Sequence, residues 1–127
     1  MAATVLLYNF TGERGRKIAL CCLPLGIRPK QVGQEDYGEP VGALAGLFPK
    51  TGAPAPAEGF SQEMLVMAGF TQSQLDQFLH SLRKKGGGPV ALKAVVTPAN
   101  QGWDSVTLFR EILKEHQAFE AGRQAKT

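Results

Sequence analysis

The chain has 127 residues, of which 43% are hydrophobic and 20% charged; this is enough apolar material for one core, and it excludes global disorder. No apolar run approaches the roughly 18 residues that a membrane-spanning helix needs, so such a helix is excluded. The formal net charge is +3, but no aromatic residues are interleaved with the basic clusters, and nucleic-acid binding is therefore not expected.

Two features bear on the cellular compartment. The apolar start "MAATVLLYNF" has neither a basic region nor a small-residue cleavage site, so it predicts a first strand and not a signal peptide, and we expect a cytoplasmic protein. The two cysteines, Cys21 and Cys22, are adjacent. On a helix their side chains point about 100° apart, which suits neither a disulfide nor a redox motif. We expect both to pack against a core.

The first part of the chain predicts a strand, a helix and a second strand. The apolar run 4–9 is typical of a buried strand, and a helix is predicted from Glu13. Pro24 distorts the last turn of this helix and Gly26 ends it; its apolar face carries Ile18, Cys21, Cys22 and Leu25. Residues 27–33 are polar for a strand, which favours an edge position.

Residues 34–60 differ in kind from the rest. One or two helical turns are predicted from Pro40, because proline is tolerated at a first helical position. The following "PKTGAPAPAEG" is typical of an extended, solvated linker. So long a connection in a small domain is usually a lid, a binding loop or an insertion.

The remaining chain predicts a strand, a helix, a strand and a final helix. "EMLVMAGF" (63–70) favours a strand over a short helix capped by Ser61. Thr71 and Gln74 form a capping box before the stripe Leu75, Phe78, Leu79 and Leu82. "VALKAVV" (90–96) predicts the fourth strand, and the last helix begins at about Ser105.

These elements predict a single α/β domain over residues 1–127, with 34–60 as a long flexible connection and 121–127 as a frayed tail. The first and third strands are apolar on both faces, which places them at the centre of a sheet. We predict a small four-stranded, mostly parallel sheet of order 2-1-3-4 with helices on both faces. The alternative is a ferredoxin-like α+β fold with an extra C-terminal helix.

Ligands of an open parallel sheet bind outside the carboxyl ends of its strands. That rule selects the loops 9–15, 69–72 and 97–104, joined by 35–37 if the second strand runs the same way. No phosphate-binding glycine motif is present, although the first loop has arginines at a helix N-terminus. The candidate ligand-binding residues are Asn9, Thr11, Arg14, Arg16, Tyr37, Thr97, Asn100 and Trp103.

The 97–104 loop also has a purely structural interpretation. Pro98 stops the strand, Asp104 caps the helix, Asn100 suits a left-handed turn, and Trp103 packs onto Leu108. This interpretation accounts for every residue of the loop except the choice of tryptophan.

No pattern of catalytic or metal-ligating residues emerges. His80 and His116 each stand alone on a helix, where a histidine is seldom a ligand. Lys93, within an apolar strand, either lies at an edge and extends to water or reaches into a pocket, and the first is favoured. The sequence assigns no catalytic residue, no metal site and no cofactor.

The segments "LLYNF", "ERGRKI", "LPLGIR", "EDYGEPVGALAGL", "MLVMAGFTQSQLDQFL" and "LKAVVTPANQGW" together resemble a bacterial family, mostly of anaerobic Firmicutes, that is known only as a domain of unknown function. The resemblance covers roughly residues 4–116. It implies a bacterial cytosolic protein and transfers no activity, cofactor or catalytic residue.

Two hypotheses of function remain open. The first is a non-catalytic module that binds a small anionic ligand or a protein partner. The second is an enzyme or accessory subunit whose site is completed by the 38–60 loop or by a second chain, with the apolar "GALAGLF" at the interface of a homodimer or hetero-complex.

Overall fold

The computed structural model describes residues 3–125, with side chains described up to residue 122. Four strands and four helices follow one another in the order β-α-β-α-β-α-β-α. They are β1 (Thr4–Tyr8), α1 (Gly12–Cys22), β2 (Arg28–Gln31), α2 (Val41–Leu44), β3 (Met64–Ala68), α3 (Gln72–Lys85), β4 (Leu92–Val95) and α4 (Ser105–Ala125). Short 3₁₀ turns follow α1 at Leu23–Leu25 and β2 at Gln34–Asp36.

The strands form one sheet of order β2-β1-β3-β4, which confirms the predicted α/β fold and strand order. β1 and β2 are parallel, as are β3 and β4, but the central pair β1 and β3 is antiparallel. The sheet is therefore mixed. Since β2 ends and β3 begins at the same end of the sheet, the long connection between them does not have to return along its length.

Helices cover both faces of the sheet, as predicted. Val5 and Leu7 of β1 and Leu65 and Met67 of β3 face α1 and α3 in one core. The alternate residues of the same strands face α2 and α4 in a second core. Both central strands are buried along their whole length, because successive side chains of a strand point to opposite faces.

Local signals end and begin the helices as the sequence predicts. Thr71 and Gln74 form a reciprocal capping box at the start of α3. Gly26, with φ of 68°, ends the turn after α1 in the left-handed conformation. Asp104 accepts a hydrogen bond from the Thr107 amide at 2.7 Å and thereby caps α4.

The chain contains two equivalent βαβ units, which sequence reasoning did not predict. β1-α1-β2 and β3-α3-β4 align with an offset of sixty residues through β1 and most of α1, so that Phe10-Thr11 corresponds to Phe70-Thr71. Thr4 pairs with Ala68 and Tyr8 with Met64, a register that the offset maps onto itself. An approximate twofold axis therefore passes between β1 and β3, perpendicular to the sheet.

Equivalent side chains tie the two units together. Arg14 and Gln74 each occupy the third position of their helix. Arg14 donates to the carbonyls of Gly87 and Pro89, in the loop after α3. Gln74 donates to the Leu25 carbonyl after α1, at 3.1 Å. Each helix start thus stabilises the loop that follows the helix of the other unit.

The 34–60 connection contains α2, and its residues bond to one another and to neighbouring elements. Both oxygens of the buried Glu39 carboxylate accept hydrogen bonds, one from Thr51 and the other from the Gly52 amide. Leu44 lies in the second core. The predicted tail, 121–127, continues α4 as far as Ala125, and its last two residues lie outside the described part of the chain.

Candidate functional site

The antiparallel pairing of β1 and β3 separates the loops that we expected to meet. The loop from Asn9 to Gly15 leaves β1 at the end of the sheet where β3 begins. The loops from Gly69 to Gln72 and from Thr97 to Asp104 start at the opposite end. The expectation of one crevice at the carboxyl ends was wrong, because the apolar pattern of a buried strand does not encode its direction.

The candidate residues of the first loop mostly make structural contacts. Asn9 has a left-handed φ of 65°, and its amide donates to the carbonyls of Phe60 and Gln62 at 3.0 and 2.8 Å. Thr11 precedes α1 without a side-chain cap bond, and Arg16 is exposed.

Arg14 of the same loop contacts four other groups of the chain. Besides its two carbonyl acceptors, its Nε lies 3.0 Å from the Glu63 carboxylate in an ion pair, without hydrogen-bond geometry. The guanidinium also lies over the Phe10 ring. An anion at this loop would have to compete with these contacts.

Tyr37 belongs to a buried aromatic cluster. Its ring stacks on Phe60 at 4.8 Å between centroids, and Tyr8 lies 5.6 Å from both rings. The Tyr8 hydroxyl bonds to that of Ser105 at 2.7 Å. Burial raises the pKa of Tyr37, against a lowering contribution from a hydrogen bond with Asn9. The structure thus brings Asn9 and Tyr37 together, around the returning chain at Phe60.

Thr97 and Asn100 form a closed turn. The Thr97 amide donates to the Asn100 side chain at 2.8 Å, and the Asn100 side chain donates to the Val95 carbonyl at 3.1 Å. The Trp103 carbonyl accepts from the Val41 amide, and its side chain is 37% exposed. The hydrogen bonds fit the predicted turn, but the expected left-handed conformation of Asn100 was wrong, since Asn9 is the one non-glycine residue with a positive φ in the described part of the chain. Binding by these residues stays a prediction.

The most prominent concave surface lies elsewhere, between α1 and α3. This surface, the helix groove, has a volume of about 700 Å³ and lies within the usual range of ligand sites. α1 and the turn after it contribute Lys17, Leu20, Cys21, Pro24 and Leu25, and α3 contributes Asp76, Gln77, His80, Ser81 and Lys85. The two walls contain equivalent positions of the two units: Lys17 and Gln77, Leu20 and His80, Cys21 and Ser81.

Two exposed leucines lie on α1 and the turn after it: Leu20 lines the groove, and Leu23 directly precedes the lining residue Pro24. Leu20 is 62% exposed and Leu23 is 69% exposed. Apolar side chains of this size next to a concave, largely apolar surface indicate an interaction site. The periodicity of α1 already places Leu20 off the buried stripe of Ile18, Cys21 and Cys22, and this was the signal that sequence reasoning missed.

The charged residues of the groove are predominantly basic. Lys17 and Lys85 stand on opposite walls, and Asp76 is the one carboxylate among the groove residues named above. The three basic residues Arg83, Lys84 and Lys85 also occupy the last turn of α3, where cations complement the helix dipole. The groove therefore favours an anionic occupant.

The cysteines have the structural role that the sequence predicts. Both are buried, and no disulfide joins them. Burial raises the pKa of Cys21, and it raises that of Cys22 to about 12. Both are therefore neutral thiols at neutral pH, which does not suit nucleophilic chemistry.

Comparison with known families finds a match within the chain. Residues 63–119 match DUF3783, a domain of unknown function. The DUF3783 segment comprises β3, α3, β4 and most of α4, so one wall of the helix groove lies inside it and the other outside. No curated protein and no solved structure matches the chain.

Residues 3–125 contain neither a metal-binding cluster nor a membrane-spanning helix. Within that range, no group of three or more His, Cys, Asp or Glu side chains is placed to hold a metal ion. None of the helices there is long and apolar enough to cross a membrane.

Proposed function

We propose that the chain is a non-catalytic protein-binding module that holds an acidic amphipathic helix in the helix groove. The exposure of Leu20 and Leu23 beside an apolar groove is the observation that carries the proposal. A bacterial, cytoplasmic setting is part of the same proposal and is supported by the sequence resemblance alone.

An amphipathic helix fits this surface because the groove lies between two packed helices. Its apolar face would cover Leu20 and the adjacent Leu23, and complete burial of each of these exposed leucines contributes about 1.5–3 kcal/mol. Its acidic face would approach Lys17 and Lys85 on the two walls. Such rim charges act mainly on the association rate and on selectivity.

The other branches of the expected function have weaker support. A small anion at the first loop has to displace the carbonyl and carboxylate partners of Arg14. An enzyme or accessory subunit completed by the 38–60 loop, or by a second copy, stays a prediction. In that loop Leu44 is buried in the core of the single chain and is not free to form an interface.

Chemical-shift mapping tests the proposal. The probe is a helical peptide of about four turns with leucines at i, i+3, i+4 and i+7 and glutamates at the other positions. It is titrated into the ¹⁵N-labelled full chain. We expect saturable shifts of the amides of residues 17–25 and 76–85, and we expect the double variant Leu20→Glu/Leu23→Glu to abolish them.

The control is Val95→Glu, which places one glutamate on an apolar side chain that is exposed elsewhere. It is expected to bind the peptide like the wild type. If the shifts map outside the groove, or if they persist in the double variant, the proposed function is wrong. Self-association that is lost in the double variant would assign the groove to a second copy instead.

A further inference from the structure

The outer edge of β4 presents backbone groups that no other strand of the described sheet pairs; one of them, the Val95 carbonyl, accepts a hydrogen bond from the Asn100 side chain. The Val96 amide donates to the Met67 carbonyl, and bonded residues alternate in a parallel ladder. The backbone amide and carbonyl of Ala94 therefore also face β3, while those of Lys93 and Val95 point away from β3. In the sheet formed by residues 3–125, β4 is a terminal strand, with Val95 44% exposed.

The equivalent edge of the other unit, the outer edge of β2, is less able to pair with a further strand. The Arg28 amide donates to the Ala3 carbonyl and the Val32 amide to the Leu7 carbonyl, so Pro29 and Gln31 face outward in β2. Proline has no amide hydrogen to offer an incoming strand. Pro29 lies opposite Val5 and Lys93 opposite Leu65, which are equivalent positions. The two edges thus differ at the residue that decides whether another strand is able to pair.

Cavities flank β4 on both faces. The edge cavity, of about 230 Å³, is lined by the apolar Leu79, Leu82, Pro89 and Val90 and by the cations Arg83 and Lys93. The second cavity, of about 350 Å³, is formed by Ala91 and Leu92 with Leu113 and His116 of α4 and the nearby Gln62, Glu63 and Pro89. Alternate side chains of a strand added to β4 would point to these two faces of the sheet, one of them toward the edge cavity.

We propose that the β4 edge binds the extended C-terminal segment of a partner protein as a fifth, antiparallel strand. The edge cavity lies where β4 begins, next to Gly88 and Pro89. An antiparallel strand ends there, so its last apolar side chain enters the cavity and its terminal carboxylate meets Arg83 and the Lys93 ammonium, which also donates to the Val90 carbonyl. Main-chain hydrogen bonds provide affinity, and the cavity provides selectivity. This surface is separate from the helix groove, and its test is independent of the proposed function.

The test uses fluorescence polarisation with the full chain. The probe is a fluorescein-labelled peptide, Ser-Thr-Val-Thr-Val, prepared with a free carboxylate and as its C-terminal amide. We expect saturable binding of the acid, weakened about tenfold or more by Lys93→Pro, which removes both an outward amide hydrogen and one of the two cations at the carboxylate. We expect Arg83→Gln to abolish the preference for the acid over the amide, while the neighbouring control Lys84→Gln retains it.

Four outcomes overturn the proposal. Two concern the wild type: no saturable binding up to about 1 mM peptide, or equal binding of the acid and the amide. The third is undiminished peptide binding by a folded Lys93→Pro variant. The fourth is a wild-type dimer that Lys93→Pro converts to a monomer, because this result would assign the edge to a second copy of the chain. If circular dichroism shows that Lys93→Pro does not fold, the proposal is tested by the affinities of Arg83→Gln for the acid and the amide peptide alone.

Discussion

Asn9 and Gly69 adopt the same left-handed backbone conformation with different side chains. They occupy equivalent positions after β1 and β3, and both have a left-handed φ, of 65° and 73° respectively. Glycine adopts this conformation without steric cost, and asparagine is among the few other residues that do so routinely. Asn9 adds two hydrogen bonds to the returning chain. Its identity is thereby explained by structure and does not require a ligand.

Exchanges at these two positions test that explanation. Gly69→Asn should be tolerated, whereas Gly69→Val should lower the free energy of unfolding by about 1–2 kcal/mol or more, because a β-branched residue is strained at this φ. Asn9→Gly should lower the free energy of unfolding less than Asn9→Ala, which adds strain to the loss of both bonds. Urea denaturation measures all four variants. Equal stability of Gly69→Asn and Gly69→Val would contradict the account.

Glu39 makes the stability of the chain depend on pH. Hydrogen bonds, first from the Thr51 amide and then from the Gly52 amide and the Thr51 hydroxyl, lower the pKa of its buried carboxyl below the ordinary 4.5. Because the folded pKa is lowered, its stabilisation is fully present above pH 4.5 and is lost as the pH falls through the folded pKa.

Glu39→Gln should therefore be less stable than the wild type at pH 7, since an amide offers only one acceptor oxygen to these donors. The difference should shrink as the pH falls below 4.5. Urea midpoints of both proteins between pH 7 and pH 3 measure it, with Glu58→Gln, an exposed residue of the same connection, as control. A difference that is constant with pH would argue against this role of the carboxylate.

At the scale of the elements, Arg14 and Gln74 attach each helix start to the opposite loop. Arg14→Ala removes the partner of two carbonyls and of the Glu63 carboxylate, and should lower the free energy of unfolding by about 1–3 kcal/mol. The exposed neighbour Arg16→Ala should change it by less than about 0.5 kcal/mol. Thermal or urea unfolding compares the two, and equal effects would show that the Arg14 contacts contribute no net stability.

The edge strands supply a second test at this scale. Lys93→Pro should preserve the fold, because the backbone nitrogen of residue 93 points away from β3 and donates no hydrogen bond to it, as at the equivalent Pro29 of β2. Ala94→Pro should abolish folding or lower the free energy of unfolding by about 3 kcal/mol or more, since this amide faces β3. Circular dichroism and urea denaturation distinguish the variants. The reverse order of stability would show that the alternation of β4 has been misassigned.

The elements themselves were largely predictable, whereas their directions were not. The capping box at Thr71, the terminator Gly26 and the apolar strands all carry local signals, so the sequence predicts their place and the order 2-1-3-4. The direction of β3 has no such signal, because a buried apolar run has the same pattern in a parallel and in an antiparallel strand. The expected crevice depended on that direction, and the loops at Asn9 and Thr97 consequently lie at opposite ends of the sheet.

At the scale of the whole molecule, the chain is two βαβ units around a twofold axis, with α2 and α4 covering the second face. The offset of sixty residues between Phe10-Thr11 and Phe70-Thr71 was visible in the sequence. The offset alone does not give the direction of β3, because like units can also follow one another in parallel; the twofold axis in the structure pairs the inner strands antiparallel. The helix groove follows from the same arrangement, since it places α1 and α3 side by side on one face.

The groove could be predicted only in part. Its helices follow from periodicity, and Leu20 lies off the buried stripe of α1. The exposure of Leu23 depends on the 3₁₀ turn at Leu23–Leu25, and the separation of Lys17 from Lys85 depends on how the two units meet. Neither of these is a local property of the sequence.

A charge exchange across the helix groove tests the central claim most directly. Isothermal titration calorimetry compares the acidic helical peptide with a matched peptide in which lysines replace its glutamates. We predict that the wild type binds the acidic peptide more tightly, that this preference weakens with added salt, and that Lys17→Glu/Lys85→Glu reverses it. An unchanged preference in that variant, or binding of neither peptide by the wild type, would contradict the account.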